Sequence, residues 1–214
     1  MSVPAGAENR SRFGHWESDT VLGKRGTGCI AAHVERKSGY LIAVKIPDRQ
    51  DKAFTIATIA AFAKISEKLK KSFTVDNGKE FAAHKELAAG TGIKVFFCDP
   101  YSPWQRRTNE NTNGLLRQFF PKGTSFDDLS DDQLQAVVDL INNRPRKRLG
   151  FRSPAELLLN FCKFCCTWVV NLSFEKIFWR GGDRQRIKRK IVNAELHLRF
   201  LKIFCRILSI EFAN

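Results

Sequence analysis

Residues 16–22, WESDTVL, alternate with the two-residue period of a strand, which sends Glu17, Asp19 and Val21 to one face and Trp16, Ser18, Thr20 and Leu22 to the other. CIAAHVER (29–36) and YLIAVKI (40–46) read as two further strands, joined into a hairpin by a turn at Lys37, Ser38 and Gly39. The pattern then changes. Residues 51–71 are rich in Ala and hold neither Gly nor Pro, so they are too long for a strand and predict one helix. SFTVD (72–76) predicts a fourth strand ending at the strong turn signal Asn77-Gly78. A helix over 81–89, a fifth strand in IKVFFC (93–98), and helices over 108–120 and 130–142 follow, the last opened by the polar run SDDQ. Three strands, a helix, then strand, helix, strand and more helices define an α/β class with a mixed five-stranded sheet flanked by helices.

Composition adds a partner to this picture. Lys and Arg outnumber Asp and Glu by 36 to 22, giving a net charge of +14, which favours a polyanion such as nucleic acid. No run reaches the roughly 18 apolar residues of a membrane span and the N-terminus has no apolar signal core, so the expected location is the cytoplasm, with no membrane partner. The six cysteines, at positions 29, 98, 162, 165, 166 and 205, form no paired framework and are expected reduced. Cys162 and Cys165 have the gap of a zinc knuckle but lack a second pair at suitable distance.

The division expected is a lead-in over 1–11, a core over 12–159 and a basic tail over 160–214 whose fold is not assigned. Residues 161–214 hold eleven basic against four acidic residues and four of the six cysteines, and show neither helical nor strand periodicity. The tail segment RQRIKRK reads more readily as a solvated stretch than as a nucleic-acid contact.

Three acids stand where chemistry is plausible: Asp19 in the first strand, Asp76 at the end of the fourth, and Glu110 in the first turn of a helix. Strand ends of open α/β sheets are common ligand sites, and a carboxylate inside a central strand is costly unless something pairs with it. On the helix, Glu110, Asn113, Gly114 and Arg117 fall on one face and Leu115, Leu116 and Phe119 on the other, which predicts that the second set packs on the sheet. Three oxygen-donor side chains from three elements suit hard divalent cations, Mg²⁺ or Mn²⁺, and two such ions about 4 Å apart support in-line phosphoryl transfer. Each acid also has an ordinary explanation, as a turn residue, an edge-strand residue or a helix N-terminal charge.

Thirty-three residues separate Asp76 from Glu110, within the strings TVDNGKEF and CDPYSPWQRRTNENTNGLLRQFFPKGT. Together with FGHWESDTVLGK and LINNRPRKRLGFRSPAELL, these strings resemble the insertion-sequence-thirty family of bacterial transposases over about residues 12–159. The resemblance implies a ribonuclease-H-like, integrase-like fold in which Asp19, Asp76 and Glu110 are the catalytic, metal-binding triad for DNA cleavage and strand transfer. It implies DNA, both element ends and target, as partner, and a homo-oligomer when active, since two element ends must be held together. An inactive DNA-binding remnant and a ribonuclease-H-like nuclease are the alternatives. The family places a helix-turn-helix ahead of the core, whereas a short lead-in precedes Phe13 here, so DNA binding is expected to be nearly sequence-independent. Arg107 stands where the family pattern SPWQRGTNEN has Gly, which is expected to stiffen the approach to Glu110.

Expected DNA contacts are Trp104, Gln105 and Arg106 before the triad helix, Asn113 and Arg117 on it, and the cluster Arg144, Arg146, Lys147 and Arg148, whose charges suit a phosphate backbone. Asn109 reads as a helix cap or a DNA-orienting group. His84 reads as an exposed helix residue, with proton transfer near the site as the lesser alternative.

Overall fold

The computed structural model describes residues 9–99 and 102–162. Five strands, β1 (His15–Leu22), β2 (Cys29–Glu35), β3 (Leu41–Ile46), β4 (Ser72–Val75) and β5 (Lys94–Phe97), form one sheet in the order β3-β2-β1-β4-β5. β1 to β3 run as an antiparallel meander, while β4 lies parallel to β1 and β5 parallel to β4. β1 is therefore the central strand, and the mixed sheet read from the sequence is present.

Four helices cover the two faces: α1 (Asp51–Ala63), α2 (His84–Thr91), α3 (Arg107–Phe119) and α4 (Asp131–Asn143). Residues 154–162 are also helical. Trp16, Ala31, Phe73 and Val75 from the sheet join Phe54 and Phe62 of α1 and Leu87 of α2 in one core. On the other face Val21, Ile30, Ala32 and Val34 meet Leu116 of α3 and Leu134, Val138 and Ile141 of α4. The alternation along β1 thus holds: Trp16 points to the α1 core and Val21 to the α3 side. The SDDQ run opens α4 as a capping box, Ser130 Oγ accepting from Gln133 N at 3.1 Å and Gln133 Oε1 accepting from Ser130 N at 3.0 Å.

The single helix expected over 51–71 stops at Ala63 and is followed by a short 3₁₀ turn, Glu67–Leu69. Propensity alone would continue it, but the chain must double back to enter β4 beside β1. The Leu69 carbonyl, freed by that reversal, accepts the Trp16 indole N–H at 2.7 Å. Tertiary pairing here overrides local preference.

At the sheet edge Asn142 of α4 acts as a substitute strand neighbour. Its Oδ1 accepts the Leu41 N–H at 2.8 Å and its Nδ2 donates to the Leu41 carbonyl at 2.9 Å, both in a buried setting. Asn142→Ala leaves both backbone groups buried without partners, so a loss of about 1–3 kcal/mol is expected in thermal or denaturant unfolding. A loss no larger than a surface substitution gives, within about 0.5 kcal/mol, would mean that water reaches this edge.

Candidate active site

The parallel ladder pairs Glu17 with Thr74, and two further residues along each chain bring Asp19 level with Asp76. The two carboxylates share one cation. Arg106 Nη1 lies 3.0 Å from Asp76 Oδ2 and 3.6 Å from Asp19 Oδ1. Asp19 Oδ1 also accepts the Thr20 N–H at 2.8 Å, and its Oδ2 accepts Asn113 Nδ2 at 3.1 Å. Burial pushes the Asp19 carboxyl above its usual range, and the Thr20 N–H and Arg106 pull it back. Asp76 Oδ1 accepts the Gly78 N–H at 2.9 Å, closing the Asp-Asn-Gly turn.

Glu80 is a fourth acid beside this pair, and it has a different role. It is fully buried and bound by Arg49, whose Nε donates at 2.8 Å, and by the Thr20 hydroxyl at 3.1 Å. A Cβ at Gly78 would run into both the Glu80 and Asp76 carboxylates, which explains the glycine in Asp-Asn-Gly-Lys-Glu.

Glu110 is exposed, in the first turn of α3. Among the described residues no three His, Cys, Asp or Glu side chains stand close enough together to hold a metal ion. The structure brings together Asp19 and Asp76, and presents Glu110 on the helix docked over Asp19. Two hard oxygen donors that already share a cation fit a divalent ion such as Mg²⁺.

The buried face of α3 differs from the one its apolar residues predict. Thr108, Asn109, Thr112 and Leu116 are buried, while Leu115 is partly buried and Phe119 is 45% exposed. The N-terminal half of the helix lies on a polar part of β1, where Glu17 is completely buried in an ion pair with Arg36 at 2.9 Å. Polar residues therefore face inward. Arg107 is the first helical residue, exposed and without a positive φ, so the backbone there does not call for glycine.

Some of the expected DNA contacts are exposed and some are engaged within the fold, and Arg148 is both. Arg144 and Lys147 are exposed. Arg148 Nη1 donates to the Lys37 carbonyl at 3.0 Å, and Arg146 Nη2 reaches the Ile141 carbonyl at 3.5 Å. Arg117 Nη2 donates to the Leu22 carbonyl at 2.8 Å, tying α3 to the end of β1. Gln105 is buried and its amide makes two 2.9 Å bonds with Asp99, to the backbone N–H and to Oδ2. Asn113 and Arg106 are committed to the acids. The Trp104 side chain lies outside the described residues. His84, at the start of α2, packs edge-on to Phe97 and meets the Ala82 carbonyl at 3.2 Å. Cys29 and Cys98 are free thiols, and Cys165 lies outside the described residues. No helix among the described residues is long and apolar enough to cross a membrane.

Sequence reasoning missed Glu17, Arg36, Arg49 and Glu80 as parts of this site. A second acid two residues before Asp19, on the same strand face, was the available signal for Glu17.

A mixed sheet in this order, with two acids abreast on the central strand and its parallel neighbour, is an integrase-type, ribonuclease-H-like core. The model of the integrase core domain matches residues 9–103. The catalytic core domain of BIV integrase superposes with a TM-score of 0.53 at 20% identity, covering 71% of this chain and 97% of that one, a likeness of fold. The transposase InsI for insertion sequence element IS30A of Escherichia coli (strain K12) is 46% identical over 151 residues, 71% of this chain and 39% of that protein. The transposase for insertion sequence element IS1086 of Cupriavidus metallidurans is 42% identical over 155 residues, 72% of this chain and 46% of that protein. The chain thus carries an integrase core of the IS30 transposase family, and spans less than half the length of these relatives.

Proposed function

We propose that this core cleaves DNA strands and joins them to a target in insertion-sequence transposition, with Asp19, Asp76 and Glu110 as ligands of two Mg²⁺ or Mn²⁺ ions. The observation that carries the reading is the pair Asp19 and Asp76, abreast on β1 and its neighbour and sharing one cation, with the Glu110 helix docked along the same strand. When bound, the ions supply activation of an attacking oxygen and charge stabilisation of a leaving one. The chain's own residues prepare that place. Thr20 N–H and Asn113 Nδ2 hold the two oxygens of Asp19 in fixed directions, and Arg106 offsets the repulsion between the two carboxylates. The exposed cations Arg107, Arg144 and Lys147 are available to phosphates, and the net charge of +14 favours a polyanion. DNA is the partner, a homo-oligomer holds the two element ends, and the protein works in the cytoplasm.

A cleavage and binding assay tests this. The protein should nick or join duplex DNA only when Mg²⁺ or Mn²⁺ is added. Its DNA affinity should fall steeply with salt and depend little on sequence, because phosphate contacts supply affinity without reading bases. Cleavage of an RNA–DNA hybrid with DNA duplexes left intact would make it a ribonuclease. A footprint confined to one repeat sequence would place base recognition within these residues.

A further inference from the structure

Glu17 and Arg36 are buried charges that the proposed chemistry does not use. Glu17 is 0% and Arg36 2% exposed, and their side chains meet at 2.9 Å between Nε and Oε1. An ion pair so deep gives weak net stabilisation, since desolvation offsets most of the attraction. Its connections are more informative than its energy. The second Glu17 oxygen, Oε2, accepts the backbone N–H of Asn109 at 2.7 Å. That N–H belongs to the first turn of α3, where helix donors have no partner in the helix itself. Arg36 Nη2 donates to the Gln105 carbonyl at 2.9 Å, just before the same helix. Gln105 in turn is fixed to Asp99 through its side chain.

The spacing of these contacts matters. Two hydrogen bonds join the first two turns of α3 to β1: Asn109 on Glu17 and Asn113 on Asp19. Four helical residues advance about 6 Å and two strand residues about 6.7 Å, so helix and strand run in step over this stretch. Glu110 follows directly on the first point of attachment. A carboxylate two residues before one candidate ligand thus grips the residue before another.

We infer that Glu17, oriented by Arg36, is a positioning residue: it pins the N-terminus of α3 to the central strand and so sets where Glu110 stands relative to Asp19 and Asp76. The inference rests on the proposed role of those three acids. It gives a reason for carrying a buried charge pair where an apolar pair would pack as well, because a carboxylate accepts a helix N–H and an arginine cation at once. It also accounts for the polar inward face of α3.

Glu17→Asp tests it in the full chain, since it keeps the charge beside Arg36 and withdraws the carboxylate by one methylene from the Asn109 N–H. The expected result is a ten- to hundred-fold lower rate of Mn²⁺-dependent DNA cleavage, the size of effect an ångström-scale misplacement produces. DNA affinity should stay unchanged. Mn²⁺ binding, followed by electron paramagnetic resonance without DNA, should weaken several-fold. Arg36→Lys keeps a cation beside Glu17 and removes the arm to Gln105, so it should show the same pattern more weakly. If Glu17→Asp loses its cooperative melt, Arg36→Lys decides. Wild-type rate and Mn²⁺ affinity in a folded variant overturn the inference, as does a loss of rate matched by an equal loss of DNA affinity. Asp76→Asn runs beside them: retained cleavage in Asp76→Asn defeats the reading of the acids, whereas its loss with Glu17→Asp unaffected defeats the positioning role alone.

Discussion

Asp76→Asn is expected to reduce metal-dependent DNA cleavage by about a thousand-fold or more, equivalent to roughly 4 kcal/mol of transition-state stabilisation, with the fold intact. The substitution is nearly isosteric. It keeps an oxygen that can accept the Gly78 N–H, so the turn after β4 should survive. It removes the charge that a divalent ion would need and the stronger of the two contacts to Arg106. The cost to folding should be small, because the Asp76 side chain is 31% exposed and partly solvated ion pairs are worth about 0–1 kcal/mol. Relief of its repulsion with Asp19 offsets part of even that. Glu110→Gln should behave alike in cleavage and be neutral in stability, since Glu110 is exposed. Cleavage rates, Mn²⁺ titrations and thermal melts of the two variants check the expectation together. Unchanged cleavage in both, with the melts also unchanged, would remove these acids from the chemistry.

The sheet was legible because strands with one face per core write a two-residue period, and β1 shows it plainly with Trp16 on one side and Val21 on the other. The candidate acids were legible for a different reason: they stand in long strings that resemble a family. What periodicity could not show was any feature made of polar residues meeting across the fold. Phe119 was expected to pack on the sheet and is 45% exposed, while the polar residues Thr108, Asn109 and Thr112 are buried. Glu17, which accepts the Asn109 N–H, comes from a strand far away in sequence. The basic cluster after α4 likewise read as one patch. Two of its arginines turn back to carbonyl groups, and the Arg148 guanidinium packs so closely on Gly39 that a Cβ there would collide with it. Charge clusters in a sequence count cations, and only packing tells which of them already hold a carbonyl.

His33 should make the fold labile to acid. Its ring is fully buried, set edge-on to Phe54 and Phe62 and close to Phe73. Nδ1 meets the Ser18 hydroxyl at 2.9 Å and Nε2 the Thr58 hydroxyl at 3.3 Å, so the neutral ring is well satisfied. Burial pushes its pKa from 6.5 down to about 3. A base with a depressed folded pKa contributes stability that is complete above its unfolded value of 6.5 and is lost as pH falls from there toward 3. Within that window one proton is taken up on unfolding, which costs about 1.4 kcal/mol of stability per pH unit. His15, depressed to about 4 by burial and by Lys71, acts in the same direction. The buried carboxyls of Glu17 and Glu35, raised by burial, act oppositely, gaining stability as pH falls toward 4.5. The net slope therefore mixes several groups, and the contribution of His33 is read as a difference. His33→Gln is uncharged at every pH and long enough to reach a hydroxyl. It should lower stability near neutral pH through lost aromatic packing, by an amount that shrinks as the pH is lowered from 6.5 to 5, about 2 kcal/mol over that range. Denaturant unfolding of both proteins across this range checks it, and parallel stability curves would show that His33 accepts a proton within the fold.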